Sequence, residues 1–324
     1  MTARVLMALV LAASGGGATA PPSPPAERRS DRPEVSSLGW IQTHEQGTPF
    51  AGPLGVFFDR AAGELLVADT RNGMIAIFDP DGMPKFAFGP EAGLVEPRKV
   101  MADPRGRIYV IDSSRPAVQV FSYRGRPLGE FPFRDAAGEA DVQPVAMTCS
   151  GDGLLLFLDH RGGRALAYDL DWTFVRSFGH PGKGPGALAA PAGIAVGPGG
   201  ELFVTDHASE PVQVFSAEGR FLRSWGKHDV GDSNFSSPGG VAVDPAGRVY
   251  VADPLRQDVK VFREDGTFLL HFGGFGAGRG QLAYPMDVAA GRDGRVYVCE
   301  KVGGRVQVFR IDGPQAAPDR QADR

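Results

Sequence analysis

The sequence has few cysteines, no long hydrophobic run and no excess of positive charge, and each absence excludes a class of protein. Two cysteines in 324 residues cannot form the disulfide framework of a small secreted domain. The apolar run Val5–Ala13 is too short to span a bilayer, so no stable membrane span is expected once this segment is removed. The formal net charge of −4 argues against a globally basic nucleic-acid-binding protein.

Glycine and proline, by contrast, are abundant, with 45 and 27 residues respectively. Both residues favour turns, and neither favours the interior of a helix. This composition is typical of many short strands joined by tight turns.

The two ends of the chain differ in composition from its centre. Arg4, the apolar run Val5–Ala13 and the Ala18–Ala20 triplet follow the pattern of a cleaved secretory signal, predicted here for residues 1–20. We therefore expect a secreted or periplasmic protein. Residues 21–34 are rich in proline and predict a linker, and residues 314–324 have the composition of a disordered tail. Residues 35–313 are left for a single folded domain.

The stretch Pro191–Gly226 contains four short runs in which apolar and polar residues alternate. Each run is rich in β-branched or aromatic residues and is bounded by turn-forming residues. This pattern predicts four antiparallel strands joined by tight turns.

The same stretch recurs six times. An opening proline marks each copy, with a first step of 44 residues and four further steps of 47: Pro53, Pro97, Pro144, Pro191, Pro238 and Pro285. An acid at the end of each second strand recurs in the same register: Asp69, Asp112, Asp159, Asp206, Asp253 and Glu300. Repeats of this length indicate a repeat architecture in which each copy packs on its neighbours.

The six copies predict an all-β fold, a six-bladed β-propeller of four-stranded antiparallel blades. A closed ring needs no capping repeats. The sixth copy stops near Gly313 without a fourth strand, and the segment Leu38–Gly47 resembles the Trp225–Gly231 region that ends the fourth copy. The N-terminal strand should therefore complete the last blade.

The repeated pattern resembles the NHL repeat. Its parts are P-x-G-[IV]-A-V, G-x-[LIV]-[FY]-V-x-D, [VI]-[KQ]-V-F and a closing Phe-Gly or Trp-Gly, over Pro53 to about Gly313. The resemblance implies a propeller of the type found in enzymes, RNA-binding proteins and secreted bacterial proteins, so it specifies the fold much better than the function.

A metal site is not expected. In peptidyl-amidating lyases, which resemble NHL propellers, a histidine after the opening proline supplies zinc ligands. The six residues at this position here are Leu54, Arg98, Val145, Ala192, Gly239 and Met286. None of them is His, Cys, Asp or Glu, and the one acid nearby is Asp287, one position further along. One carboxylate is a poor calcium site. Because the acid that ends the second strand recurs in every copy, it is expected to be structural. We predict neither a metal nor another cofactor.

The candidate binding residues lie on the face where each first strand begins, called the top face. They are basic or imidazole side chains of the first four blades: Arg71, Arg98, Lys99, Arg161, His160 and His207. A cluster of positively charged side chains near a channel mouth favours the binding of an anion. The alternative is an ordinary solvated rim, and exposed loop histidines are the default interpretation of the two imidazoles.

The sequence therefore predicts a monomeric binding or scaffolding module for a protein partner or a small anionic ligand, with no nucleic acid bound. The alternative is a lyase- or hydrolase-type enzyme with an active site on the top face. No nucleophile–base pair in the sequence supports that alternative.

Overall fold

A computed structural model describes residues 33–45 and 47–313. The predicted signal peptide, nearly all of the predicted linker and the predicted tail lie outside these residues. No helix among the described residues is long and apolar enough to cross a membrane.

The described residues form six four-stranded antiparallel sheets. In five of them the strands follow chain order from the channel outward, and in the sixth the first strand of the chain is outermost. Blade one contains β2 (Gly55–Asp59), β3 (Glu64–Asp69), β4 (Met74–Phe78) and β5 (Pro84–Phe88). Blade two contains β6 (Pro97–Ala102), β7 (Arg107–Asp112), β8 (Val118–Ser122) and β9 (Pro127–Glu130). A small hairpin follows, formed by β10 (Arg134–Asp135) and β11 (Gly138–Glu139).

The other blades repeat this arrangement. Blade three contains β12 (Pro144–Cys149), β13 (Leu155–Asp159), β14 (Arg164–Tyr168) and β15 (Phe174–Phe178). Blade four contains β16 (Pro191–Val196), β17 (Leu202–Asp206), β18 (Val212–Phe215) and β19 (Phe221–Trp225). Blade five contains β20 (Val241–Val243), β21 (Arg248–Asp253), β22 (Asp258–Arg263) and β23 (Phe268–Gly273). Blade six contains β24 (Pro285–Ala290), β25 (Arg295–Glu300), β26 (Arg305–Asp312) and β1 (Glu34–Ile41). The predicted fold is confirmed.

The N-terminal strand closes the ring. β1 pairs antiparallel with β26 from Glu34 opposite Asp312 to Ile41 opposite Val306. The strand begins at Glu34, four residues before the Leu38–Gly47 segment whose resemblance predicted it, because β26 is long enough to pair with the extra residues. Beyond the strand, His44 is buried with its Nε2 atom 2.7 Å from the carboxylate of Asp69 in blade one.

The hydrophobic core is divided among the contacts between neighbouring blades. The described residues form six clusters of buried side chains, one between each pair of adjacent sheets. The cluster between blades six and one includes Ile41, Phe58 and Tyr297, and the last two rings stack with centroids 5.6 Å apart. Since each sheet is covered on both faces, its middle strands are almost entirely apolar.

Candidate functional site

Two chambers occupy the central channel of the propeller. The top chamber has a volume of about 820 Å³ and opens toward the blade-to-blade connectors. The bottom chamber has a volume of about 500 Å³ and ends near Arg60, whose guanidinium donates to the carbonyl of Val243. Both volumes fall within the range of about 300–1,000 Å³ that is usual for small-molecule sites.

A ring of six residues forms the inner wall of the top chamber. Each residue follows the opening proline of its blade: Leu54, Arg98, Val145, Ala192, Gly239 and Met286. Five of the six are uncharged, and the sixth is Arg98. Together they form the proline-following ring. Arg98 is exposed, and its side chain makes no hydrogen bond or ion pair with any residue of the described chain. The ring therefore places one unpaired positive charge on an apolar wall.

The next ring inward contains an ion pair. Its members are Gly55, Lys99, Ala146, Gly193, Gly240 and Asp287. The ammonium of Lys99 lies 2.8 Å from Oδ2 of Asp287, and the two side chains are 18% and 10% exposed. Lys99 borders both chambers and Asp287 borders the lower one, so the pair lies where the chambers meet.

Glycines of this second ring make room for the ion pair. A Cβ atom on Gly240 would stand 1.8 Å from Oδ1 of Asp287. A Cβ atom on Gly55 would stand 2.4 Å from the carbonyl oxygen of Arg98. Asp287 also accepts the backbone N–H of Val56 at 3.2 Å. Because the blades approach so closely, only a residue without a side chain fits at these two positions.

The acid that ends each second strand holds the connector that enters its own blade. Asp206 accepts the amides of Ala189 and Ala190 at 2.8 and 3.1 Å, and that of Ala208 in the following turn at 2.8 Å. The other blades have equivalent bonds: Asp69 to Ala51, Asp112 to Val95, Asp159 to Gln143, Asp253 to Ser236 and Glu300 to Ala283. The acids were expected to bind backbone amides of the following turn. Among the described residues only Asp112, Asp206 and Asp253 do so, and the contact that all six acids share is with the preceding connector.

The predicted cationic residues differ in whether an acid pairs with them. Lys99 is paired with Asp287, and Arg161 forms an exposed ion pair with Asp141 on the rim. Arg71 is exposed and unpaired among the described residues, but it lies outside the chamber, beside Gly52. Arg98 alone combines a place in the chamber wall with an unpaired guanidinium.

Two further arginines of the top face also have acidic partners. Arg164 contacts Asp135 and Asp159, and Arg115 lies 3.8 Å from Glu130. Lys301 in blade six, which the sequence did not suggest, also borders the chamber, is exposed, and has no ion-pair partner among residues 33–45 and 47–313. Among the described residues that border the chamber, the cations without an acidic partner are therefore Arg98 on blade two and Lys301 on blade six, whereas the sequence predicted free cations on blades one to three.

The two candidate histidines line the top chamber from blades three and four. His160 is exposed, and its backbone N–H bonds to the carbonyl of Gln143. Nδ1 of His207 lies 3.2 Å from the hydroxyl of Ser237. Loss of hydration at the chamber wall lowers the pKa of His207 despite the nearby charge of Asp206. No group of three or more His, Cys, Asp or Glu residues in the described part of the chain could hold a metal ion.

Two residues at the mouth adopt a left-handed backbone without being glycine. Gln257 has φ 61° and Tyr284 has φ 57°. Oε1 of Gln257 accepts the N–H of Tyr284 at 2.7 Å, and its Nε2 donates to the carbonyl of Pro254 at 2.6 Å. Three other blades have glycine in place of Gln257: Gly73, Gly163 and Gly304. The glutamine side chain thus fixes a strained tyrosine at the rim, and a left-handed residue costs about 1–2 kcal/mol.

The sequence gives no direct sign of the Lys99–Asp287 pair or of the Gln257–Tyr284 contact. The pair could have been found by comparing the third residue of each copy, where these are the two charged residues and have opposite signs.

The comparison with protein families agrees with this geometry. The NHL repeat family model matches residues 235–262, which lie mostly in blade five. The chain contains an NHL repeat. The match lies in one of the six copies. This match and the six blades together confirm the resemblance predicted from the spacing. A comparison with curated proteins gives no match to this NHL propeller.

Solved structures similar to the NHL propeller include three enzymes. A streptogramin B lyase is 16% identical, covering 87% of this chain and 98% of its own, with a TM-score of 0.58. A gluconolactonase from Xanthomonas campestris is 16% identical, covering 87% and 91%, with a TM-score of 0.61. Virginiamycin B lyase from Staphylococcus aureus is 14% identical, covering 86% and 100%, with a TM-score of 0.55. At these identities the similarity shows the fold alone.

Proposed function

We propose that this NHL propeller is an exported binding or scaffolding module that holds an anionic group at its top face. The group belongs to a small ligand or to a protein partner. The observation that supports this best is Arg98, an unpaired guanidinium on the otherwise uncharged proline-following ring of an 820 Å³ chamber. A guanidinium bound to a carboxylate or phosphate gains two charge-assisted hydrogen bonds.

The test compares Arg98→Ala with Arg161→Ala. Arg161 borders the same chamber, but its charge is already paired with Asp141 on the rim. Immobilised wild type and both variants are exposed to an extract of the native host, and retained proteins and small molecules are identified by mass spectrometry. We expect one species to be lost with Arg98→Ala and kept with Arg161→Ala. The proposal is contradicted if both variants retain every protein and small molecule that the wild type retains.

Export is part of the same proposal and rests on the sequence of the first 20 residues. Intact-mass measurement of the protein from its native host should show loss of roughly the first 16–22 residues, the usual length of a signal peptide. A native protein that keeps Met1 would contradict export.

A lyase or hydrolase remains the second candidate, because similar folds include a gluconolactonase and two lyases. Metal analysis of the purified protein distinguishes the two proposals. Stoichiometric zinc or calcium would favour the enzyme, since neither ion is needed by the binding site built around Arg98.

A further inference from the structure

The charges around the top chamber limit the kind of anion that fits it. Arg98 provides one positive charge on the inner wall, and Lys301 provides a second at the solvated rim. Two carboxylates, those of Asp112 and Asp141, border the same chamber. Burial opposes ionisation of Asp112, but hydrogen bonds from Ser114 and backbone amides outweigh it and lower its pKa. Among the described residues that border the chamber, Arg98 and Lys301 are the cations with no carboxylate partner, and they lie on different blades, so the chamber offers a polyanion no cluster of free positive charge.

The ion pair beneath the proline-following ring removes another possible anion contact. Lys99 reaches the chamber, but its ammonium is bound to Asp287 at 2.8 Å. A second anion would have to compete with this carboxylate for the same ammonium. Among the described residues, Arg98 is therefore the cation on the inner wall of the chamber that is not already bound to a carboxylate.

The remaining wall of the chamber is largely apolar. Leu54, Val145 and Met286 lie at the same level as Arg98. Blade five lies opposite blade two in a ring of six, and there Leu255 borders the chamber with 60% of its surface exposed. Tyr284 stands beside it, 39% exposed. Exposed apolar side chains facing a concave site gain most when an apolar ligand covers them.

The strained backbone at the mouth indicates that the position of Tyr284 matters. Gln257 keeps a left-handed conformation that three other blades assign to glycine, and its side chain holds the amide of Tyr284. Strained residues that are retained in this way concentrate at ligand sites. Here the strained pair presents an aromatic ring at the mouth, where blade five meets the start of blade six.

From these observations we infer that the ligand of the top chamber is a small amphiphilic monocarboxylate. Its carboxylate binds Arg98, and its apolar body lies across the chamber toward Leu255 and Tyr284. This inference rests on the proposed function and names the class of ligand for the same site.

The experiment is calorimetric titration of the full chain with three probes, each kept below its aggregation concentration. Decanoate has both a carboxylate and an apolar chain. 1-Decanol has the apolar chain without the charge, and citrate has carboxylates without the apolar chain. We expect saturable 1:1 binding of decanoate, at least about 10-fold tighter than 1-decanol, the smallest effect of a charged hydrogen bond. Citrate should neither bind nor compete.

Two variants locate the contacts. Arg98→Met should remove the preference for decanoate over 1-decanol and leave 1-decanol binding unchanged. Arg71→Met, the matched control, should leave both affinities unchanged, because Arg71 is also an exposed, unpaired arginine among the described residues but lies outside the chamber. Tyr284→Ala should weaken decanoate and 1-decanol by the same factor, because it removes apolar contact alone.

The outcomes separate this inference from the proposed function. Equal binding of decanoate by wild type and Arg98→Met overturns the inference, since the binding is then apolar adsorption. Arg98-dependent binding of citrate in place of decanoate also overturns it, but the proposed anion site stands. If no probe binds, the inference fails; if host species are also retained by Arg98→Ala, the proposed function fails with it.

Discussion

The ion pair between Lys99 and Asp287 should contribute measurably to stability although it borders two chambers. The perturbation is a double-mutant cycle with Lys99→Met and Asp287→Asn. Methionine keeps most of the aliphatic stem, and asparagine keeps an oxygen that can accept the N–H of Val56. Each single variant therefore removes one charge with little other change, and the cycle isolates the interaction between the charges.

The magnitude follows from distance and exposure. At 2.8 Å the pair is a charge-assisted hydrogen bond, and its side chains are 18% and 10% exposed. Breaking a fully buried pair costs about 3–5 kcal/mol, whereas an exposed pair contributes about 0–1 kcal/mol. Because the chambers admit water to one side of the pair, we expect each single variant to lose about 1.5–3 kcal/mol and the coupling energy to be about 1–2 kcal/mol.

The assay is urea unfolding followed by both tryptophan fluorescence and circular dichroism. The two transitions must coincide for the free energies to be compared. The control cycle uses Arg161→Met and Asp141→Asn, since that ion pair is 60% and 78% exposed. It should give a coupling below about 0.5 kcal/mol. A Lys99–Asp287 coupling no larger than that of the control would refute the reasoning.

Three further predictions concern closure, packing and pH. Deleting Leu38–His44 should lower the melting temperature and cause association by exposing the edge of blade six, measured by calorimetry and light scattering; an equally stable monomer would contradict ring closure by this strand. Gly240→Ala should destabilise the fold by about 1–3 kcal/mol, because its Cβ would stand 1.8 Å from Oδ1 of Asp287. Gly199→Ala, whose Cβ would meet nothing within 4 Å, should change stability by less than about 0.5 kcal/mol, and equal effects of the two substitutions in urea unfolding would refute the packing argument. Burial raises the pKa of Tyr297 from 10.0 to about 12, so the folded state keeps a proton that the unfolded state loses. This stabilisation is complete below pH 10 and is lost as pH rises to about 12, and Tyr297→Phe should flatten the fall of the melting temperature in that window; an unchanged slope would disagree.

The sequence predicted the ring because its markers are local. Each opening proline and each strand-ending acid acts within its own copy, so spacing alone sets the register. Asp206 illustrates this, because it bonds amides only 16 and 17 residues earlier, in the connector immediately before its own copy. The bounds of β1 could not be obtained from spacing, since they depend on the length of a partner strand near the other end of the propeller.

The sequence predicted the site only in part, because ion pairing depends on side-chain reach between copies. Arg98 was correctly placed at the channel wall. Lys99, also proposed as a free cation, is paired with Asp287, 188 residues later in the chain and two blades away in the ring. A charged residue can be located by its position in a repeat, but the charge it faces is set by the closed ring.

The pairing of β1 with β26 also determines the order in which the protein can be completed. Ser37 and Gln307, which bond across this junction, are 270 residues apart in the chain. The strand that leaves the ribosome first must therefore stay unpaired until nearly all of the chain has been made. Closing so long a loop costs more chain entropy than forming any blade from adjacent strands. Blades one to five can assemble from local hairpins, whereas blade six waits for both ends of the chain and is the natural last step of folding.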